Sequence, residues 1–393
     1  MNKRLIIVIV CMLLLTTFYT ASGNINVKQM KRNPELALFD DVPVWEVGYS
    51  WTYAGGFHIE EEGIIFDITL IEAYFGVIDN AGSSYNVLFG GHIEGEFSVS
   101  DPSVGVILED VSGNIQVTKS TLAFSEVFLS MTGMVTMEGV PFPVPGTIEI
   151  TITYQQDLEH IEFPLAVGNS WTIPETEITM HVVIKVVGPA QEFETNGTAG
   201  GALAYCESQE DIICGPNSYN AYNISTLELS KFYAPSAGNF IKMVPKDDSI
   251  DFNMVMIATS YPNPDSPLKP DTPSGPEKGG IGEIYDFTTK AIDPNGDLIR
   301  YGWDWNGDML PDEWTVEHNS NVEITTSHTW PSEGTYEIRV KARNSIGLES
   351  VWSDPLIVTM PRNKIINRPI FEFLQNQIGS FPILKVLLQN LGL

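Results

Sequence analysis

The chain has 393 residues, with 50 acidic and 21 basic side chains and a formal net charge of −29. So strong a negative charge repels nucleic-acid phosphates, which excludes nucleic acid as a partner. Hydrophobic residues make up 43% of the sequence, an ordinary share for a globular protein, so the acidity does not indicate disorder. The length predicts two or three domains.

Residues 1–23 have the pattern of a secretory signal peptide. Lys3 and Arg4 supply a charged start, an apolar run follows, and Ala21-Ser22-Gly23 offers small residues for cleavage. An uncleaved anchor is the alternative, although the apolar run is short for a membrane span. The sequence therefore predicts a secreted, extracellular protein that is associated with the cell surface.

Residues 44–260 are predicted to form a large antiparallel β-domain. Ile148, Ile150, Ile152 and Tyr154 alternate with polar residues, as in a half-buried strand, and long helical patterns are missing. Alternation of this kind favours a curved sheet, a half-barrel or a sandwich. The fold class of the whole chain is accordingly predicted to be all-β.

The phrase V-G-x-S-W-T occurs twice, at 47–52 and at 167–172. In each copy the glycine permits a turn that delivers the tryptophan onto the inner face of a strand. The two copies mark either duplicated halves or two strands that enter one sheet in the same way. The second interpretation is favoured, because little else in the two regions matches.

After removal of the signal peptide, Cys206 and Cys214 are the cysteines that remain. In an exported protein, two cysteines this close together are predicted to form one disulfide that closes a local loop. A metal-binding pair is the weaker alternative, because no histidine or further cysteine lies nearby in sequence.

Residues 261–280 are predicted to be a semi-stiff linker in polyproline conformation. The segment contains six prolines among glycine, serine and aspartate residues: Pro262, Pro264, Pro267, Pro270, Pro273 and Pro276. Such a linker would separate the large domain from the region that follows.

Residues 281–360 contain four motifs: A-I-D-P-N-G-D from residue 291, Y-G-W-D-W-N-G-D from 301, S-H-T-W from 327 and E-G-T-Y-E-I-R-V-K-A from 333. Their order resembles that of a PKD domain, an immunoglobulin-like β-sandwich of many prokaryotic and archaeal surface proteins. The family pattern reads D-P-D-G-D, W-D-F-G-D-G, H-T-Y and G-T-Y-x-V, and Asn295, Trp305 and Trp330 depart from it. The resemblance implies a β-sandwich whose exposed aromatic side chains would contact a protein or polysaccharide.

The most suggestive chemistry in this region is the series Asp304, Asn306, Asp308 and Asp312. Oxygen ligands at alternate positions, with Gly307 among them, match the front of a calcium loop, so calcium is the one cofactor that the sequence suggests. Met309 and Thr315 stand where an EF-hand has glycine and glutamate. The alternative is a structural turn, since Asn-Gly-Asp is typical of turns.

Residues 365–393 are predicted to be a short apolar, amphipathic helical tail. Its large apolar residues recur three or four positions apart: Phe371, Leu374, Ile378, Phe381, Leu384, Leu387, Leu388 and Leu391. Polar residues between them make the tail a poor membrane span. We expect it to contact a membrane surface, the envelope or a partner.

No catalytic motif is present in the sequence, so the protein is predicted not to be an enzyme. The six histidines form no H-E-x-x-H pair, and neither a G-x-S-x-G elbow nor a phosphate-binding glycine loop occurs. The favoured function is adhesion, extracellular binding or envelope scaffolding, with an extracellular protein or polysaccharide as partner.

Two alternatives stay open. The first is a carrier of a lipid or other apolar ligand, because the phrase from Tyr233 to Lys242 resembles one in secreted β-domains that look like the half-barrels of periplasmic lipoprotein carriers. The second is a secreted hydrolase that degrades polymers, which would need two facing carboxylates.

Overall fold

The computed structural model describes residues 42–61, 64–100, 103–137, 142–159, 161–186, 190–227, 229–246 and 251–361. The predicted signal peptide at 1–23 and the predicted tail at 365–393 lie outside these residues. The described chain is all-β, as predicted, with a large antiparallel sheet followed by a smaller sandwich. Within these ranges, no helix has the length and apolar character needed to cross a membrane.

Fourteen strands between residues 50 and 259 form one antiparallel sheet. The strands are β1 Ser50–Glu61, β2 Ile64–Asp79, β3 Ser84–Ser100, β4 Ser103–Thr118, β5 Phe124–Met137, β6 Val144–Leu158, β7 Ser170–Thr172, β8 Thr176–Lys185, β9 Gln191–Ala199, β10 Leu203–Cys214, β11 Asn217–Ser225, β12 Leu229–Ala234, β13 Asn239–Pro245 and β14 Asp251–Thr259. The order of neighbours is β7-β10-β11-β12-β13-β14-β1-β2-β3-β4-β5-β6-β8-β9, so the first and last strands of the sheet by sequence, β1 and β14, pair in its interior.

The strands bury alternate side chains, and β-bulges shift that alternation part-way along. In β4, Val106 and Leu108 are buried before the bulge, and Val111, Ile115 and Val117 after it. Similar irregularities lie at the same level of β1 and β2. Because an extra residue bends a strand and increases its twist, a row of bulges across neighbouring strands curves the sheet.

The sheet curls far enough for distant strands to meet. Phe124 of β5 and Met243 of β13 line the same cavity, together with Lys231 of β12. Seven steps separate β5 from β12 in the strand order, which would place them about 34 Å apart in a flat sheet. A curled sheet with its apolar core on the inside, one of the predicted shapes, brings them together.

Both V-G-x-S-W-T phrases fold as predicted. Gly48 and Gly168 have φ of 97° and 89°, which L side chains rarely adopt. The tryptophans that follow, Trp51 and Trp171, are buried in the core. The phrases begin β1 and β7 of the same sheet, which confirms the interpretation of two strands that enter one sheet alike.

The predicted disulfide is wrong: Cys206 and Cys214 are free and buried. Both lie on β10, eight positions apart on one extended strand. An ideal strand would place them about 26 Å apart, whereas a disulfide needs Cα atoms within about 7 Å. Burial raises the pKa of each thiol to about 11, which keeps both protonated.

Residues 285–360 form a β-sandwich. Its strands are β15 Tyr285–Thr289, β16 Ile299–Asp304, β17 Glu313–Trp314, β18 Ile324–His328, β19 Gly334–Asn344 and β20 Leu356–Met360. One sheet pairs β15 with β18, and the other has the order β17-β16-β19-β20. Tyr301 and Trp303 of β16 lie opposite Ala342 and Val340 of β19, and all four are buried in the core.

The proline-rich segment, predicted to be a linker, lies along the sandwich. The amides of Leu268, Asp271 and Ser274 donate hydrogen bonds to carbonyl oxygens of Ile292, Lys290 and Thr288 at 2.8, 2.8 and 2.9 Å. A further bridge joins Lys278 to Thr359 of β20. The segment is therefore hydrogen-bonded to the sandwich along much of its length.

Candidate functional site

The aspartate-rich turn begins at the end of β16 and is organised by Asp304, which is fully buried. The Oδ1 atom of Asp304 accepts hydrogen bonds from the amides of Asn306 at 3.2 Å and Gly307 at 2.7 Å. Its Oδ2 atom accepts one from the amide of Met309 at 2.9 Å. One carboxylate therefore holds three backbone donors in place and closes the turn.

The other three predicted ligands lie in the same turn. The Oδ2 atom of Asp312 accepts the amide of Trp305 at 2.6 Å, and the Oδ1 atom of Asp308 accepts the amide of Leu310 at 2.8 Å. The side-chain amide nitrogen of Asn306 donates to Oδ2 of Asp308 at 3.0 Å and to Oδ1 of Asp312 at 3.3 Å. The structure brings the four residues together. The carboxylate oxygens of the three aspartates, however, already accept hydrogen bonds from backbone amides and from the side-chain amide of Asn306.

Among the residues that the structure describes, no three His, Cys, Asp or Glu side chains are placed to hold a metal ion. The hydrogen bonds match the structural turn that was the alternative to a calcium loop. Calcium binding at Asp304, Asn306, Asp308 and Asp312 stays a prediction of the sequence.

Burial makes the turn sensitive to pH. It raises the pKa of Asp304 to about 6, although the amides of Gly307 and Met309 favour the ionised carboxylate. The neighbouring charges of Asp308 and Asp312 add to the rise. Burial also raises the pKa of Asp312.

The aromatic residues of the sandwich motifs lie inside it. Trp303 stacks on Trp305 with ring centroids 4.4 Å apart, and Trp305 stacks on His328 at the same distance. Trp330 packs edge-on against His328 at 4.6 Å. Burial lowers the pKa of His328, so the ring stacks in its neutral form near pH 7. Trp303, Trp305 and Trp330 belong to the core, so they are not among the exposed aromatic side chains for which a contact role is predicted.

The second half of strand β19 is buried on both faces. Ile338, Val340 and Ala342 point into the sandwich, as the alternation of a strand requires. Lys341 and Arg343 point the other way, where a surface strand would meet solvent, yet 0% and 4% of their surfaces are exposed. They lie against the large sheet.

Lys341 is enclosed by groups from both parts of the chain. Its Nζ atom pairs with the carboxylate of Glu349 and donates a hydrogen bond to Oγ of Ser50 in β1 at 2.9 Å. The same nitrogen lies 5.0 Å from the ring centroid of Tyr74 and 5.2 Å from that of Trp352. Ion pairing, a hydrogen bond and two cation–π contacts together replace its hydration.

Arg343 extends the same cluster. Its Nε and Nη2 atoms lie 2.7 Å from Oε1 of Glu349, and its Nη1 atom lies 2.8 Å from Oε1 of Glu72 in β2. The guanidinium also stacks over Trp314 at 4.1 Å. Burial opposes ionisation of Glu349, but the charges of Lys341 and Arg343 outweigh it and hold the pKa of that carboxyl below its usual range.

We call Lys341, Arg343, Glu349, Glu72 and Ser50 the interdomain ion cluster. Backbone hydrogen bonds run beside it: the amide of Glu349 donates to the carbonyl of Thr259 at 2.8 Å, and the amide of Thr259 donates to the carbonyl of Gly347 at 3.2 Å. The end of β14, the last strand of the large sheet, is therefore hydrogen-bonded to the loop that follows β19. Sequence reasoning missed this cluster, because basic residues that alternate along a strand are typical of a solvent-facing side.

The described part of the curled sheet contains a cavity of about 80 Å³, lined mainly by aromatic and methionine side chains, with Lys231 on its wall. Burial lowers the pKa of Lys231 well below its usual range. Ligand pockets in proteins are usually about 300–1,000 Å³, so this cavity does not accommodate a lipid chain and gives the carrier alternative no support.

Comparisons with known proteins agree with the geometry of the sandwich. The family model of the PKD domain matches residues 275–354, close to the predicted range 281–360. Among solved structures, the chain is similar to the PKD domain of an M14-like peptidase from Thermoplasmatales archaeon SCGC AB-540-F20, with 43% identity over 25% of this chain and 98% of that chain and a TM-score of 0.23. No curated protein sequence matches the chain. PKD domains are typical of extracellular proteins and are typically non-catalytic. Residues 275–354 are a PKD domain, and through them the chain belongs to the PKD-domain family.

Proposed function

We propose that the protein is a secreted or cell-surface scaffold that binds an extracellular protein or polysaccharide and is not itself an enzyme. The typical occurrence of PKD domains in extracellular proteins supports the location. The interdomain ion cluster is the observation that carries the proposal, because it joins the PKD domain to the large sheet through buried ion pairs. A scaffold has to hold its surfaces in a constant relative position, and a buried charged interface does so.

The recess where the two parts meet is the surface we propose for the partner. It has a volume of about 590 Å³ and is lined by Tyr49 and five charged residues among others. Four of the five charges are paired, since Lys269 lies 2.7 Å from Asp354 and Arg339 lies 2.6 Å from Glu337; the fifth belongs to Glu46. A polysaccharide is nearly neutral and rich in hydroxyl groups. These hydroxyl groups can donate hydrogen bonds to the acidic side chains of the recess and accept them from the basic ones.

The fixed geometry can be tested by pulsed electron-spin distance measurements. Spin labels at Ser120→Cys, in the turn between β4 and β5, and at Ser332→Cys in the PKD domain occupy exposed positions, and Cys206 and Cys214 are buried. We expect one narrow distance distribution in the full chain and a broad one after Glu349→Gln. The matched control is Glu149→Gln, which removes a more exposed ion pair with Lys185 and should leave the distribution narrow. A broad distribution in the parent chain would contradict a scaffold.

The binding and non-catalytic parts of the proposal need separate measurements. Envelope polysaccharides and surface proteins from the source cells should bind the full chain, and Arg339→Ala or Lys269→Ala should weaken binding several-fold. Equal binding by these variants would place the partner elsewhere. Hydrolysis of peptides or polysaccharides by the purified chain would overturn the non-catalytic assignment.

A further inference from the structure

Strand β9 forms one edge of the large sheet. Among the described strands it pairs with β8 alone, so its outer backbone amides and carbonyls have no strand beside them. An open edge of this kind can pair with another chain and aggregate, and natural sheets protect such edges with charges, prolines or covers.

Charge protects half of β9. Glu192 and Glu194 are exposed in its first half, whereas the second half, residues 195–199, has the uncharged sequence T-N-G-T-A. The opposite edge differs, because β7 pairs with three residues of β10 and the rest of β10 exposes Glu207, Glu210 and Asp211. The second half of β9 is thus the less protected part of the two edges.

This unprotected half contains the sequence Asn196-Gly197-Thr198, an acceptor pattern for N-linked glycans in exported proteins. Asn196 and Thr198 are both exposed. The Oδ1 atom of Asn196 accepts a hydrogen bond from Oγ1 of Thr179 at 3.0 Å, which orients the amide on the outer surface of the sheet. Beside it lies an open recess of about 540 Å³, partly lined by Thr153 and Thr179. The recess gives a first sugar room and hydroxyl partners.

The second pattern of this type, Asn223-Ile224-Ser225, is not compatible with a glycan in the folded chain. Asn223 lies on the interior strand β11, between Ser208 of β10 and Phe232 of β12. Its Oδ1 atom is buried without a hydrogen-bond partner among the described residues. Ser225 is fully buried, and its hydroxyl donates to the carboxylate of Glu207.

We propose that Asn196 carries an N-linked glycan, that Asn223 does not, and that the glycan covers the uncharged half of the β9 edge. The co-reactant is an oligosaccharide carried on a lipid phosphate, supplied with a transferase by the exporting cell. Asn196 Nδ2 forms the bond to the anomeric carbon, and the bond from that carbon to the phosphate oxygen breaks. The lipid phosphate leaves with the electron pair, and the amide proton passes to a base of the transferase.

Glycopeptide mass spectrometry of the full chain from its own cells tests the assignment. We expect the peptide with Asn196 to carry the mass of a glycan and the peptide with Asn223 to be unmodified. An unmodified Asn196, or a glycan at Asn223, would overturn the proposal.

The role at the edge is tested with a matched pair of variants in the same host. Thr198→Ala removes the acceptor pattern and leaves Asn196 in place, whereas Thr198→Ser keeps the pattern. We expect the alanine variant to lose the glycan and to form dimers or larger species in sedimentation velocity, and the serine variant to behave like the parent. An alanine variant without the glycan that sediments like the parent would overturn the capping role.

Discussion

Glu349 is the residue on which the contact between the two parts of the chain most depends. One of its carboxylate oxygens pairs with Lys341 and the other with Arg343, and 1% of its surface is exposed. Removal of one partner from a buried ion pair leaves an uncompensated charge, which is costlier than the pair itself. Glu349 balances two buried cations, so its loss leaves more charge uncompensated than the loss of either cation.

We therefore predict that Glu349→Gln lowers the free energy of unfolding by about 3–5 kcal/mol, because two buried cations lose their shared counter-ion. Lys341→Met should have a smaller effect, since Glu349 keeps Arg343. Urea unfolding of the full chain gives both values. Glu149→Gln at the more exposed pair is the control, with an expected change of at most about 1 kcal/mol. A smaller loss for Glu349→Gln than for Lys341→Met would show that Glu349 is not the shared counter-ion.

The raised pKa of Asp304 predicts a pH dependence of opposite sign to that of most carboxylates. The pKa of Asp304 is about 6 in the folded chain, against an ordinary value of 3.8 in the unfolded chain. Between these two pH values the folded chain therefore binds the proton more tightly than the unfolded chain does. The contribution to stability is complete below pH 3.8 and is lost as the pH rises through about 6. Comparison of unfolding at pH 4 and pH 7 should show about 1–3 kcal/mol of this dependence in the parent. Asp304→Asn should remove it.

The same titration in the presence of calcium tests the predicted metal site. A bound divalent cation favours ionised carboxylates, so it should lower the pKa of Asp304 and flatten the pH dependence. A pH dependence that calcium does not alter would leave the turn as a purely structural feature.

At the scale of elements, the bulged region of β1 depends on a glycine that approaches its neighbour closely. A Cβ atom built on Gly55 would lie 1.9 Å from the carbonyl oxygen of Asn253 in β14, and backbone must shift to admit it. One built on Gly56 would lie 3.4 Å from the nearest atom, the carbonyl oxygen of Ile68. The two neighbours therefore differ in how much they tolerate a methyl group.

We predict that Gly55→Ala lowers the free energy of unfolding by about 2 kcal/mol or more, because the methyl group forces β1 and β14 apart. Gly56→Ala should change it by at most about 1 kcal/mol. Urea unfolding measures both, and hydrogen exchange of the β14 amides locates the change. Similar values for the two variants would show that the close approach at Gly55 is not a constraint.

On the scale of the whole molecule, the chain joins two cores by a polar interface. The large sheet and the PKD domain each have an apolar core. The contact between the two cores is rich in charged and hydroxyl groups. Water that entered this contact could solvate those polar groups. We attribute the expected narrow distance distribution to the geometry of the ion pairs and to the backbone bonds at Thr259, since apolar contact alone allows sliding.

The sequence by itself determined the fold class, the PKD domain and the entry of two strands at V-G-x-S-W-T. These features rest on local physics: alternation of period two, glycines at turns, and motifs whose residues lie close together along the chain. For the same reason the four predicted ligands share one turn, since they lie within nine consecutive positions of the sequence.

Only the tertiary structure decided the rest. The burial of Lys341 and Arg343 depends on strands almost 300 positions earlier in the chain, and no local pattern separates a solvent-facing strand from one covered by a second unit. The prediction of a disulfide was wrong because residues that are close in sequence need not be close in space. An extended strand holds Cys206 and Cys214 apart. Curling of the sheet likewise comes from bulges in several strands at one level, a register that exists only once the strands have paired.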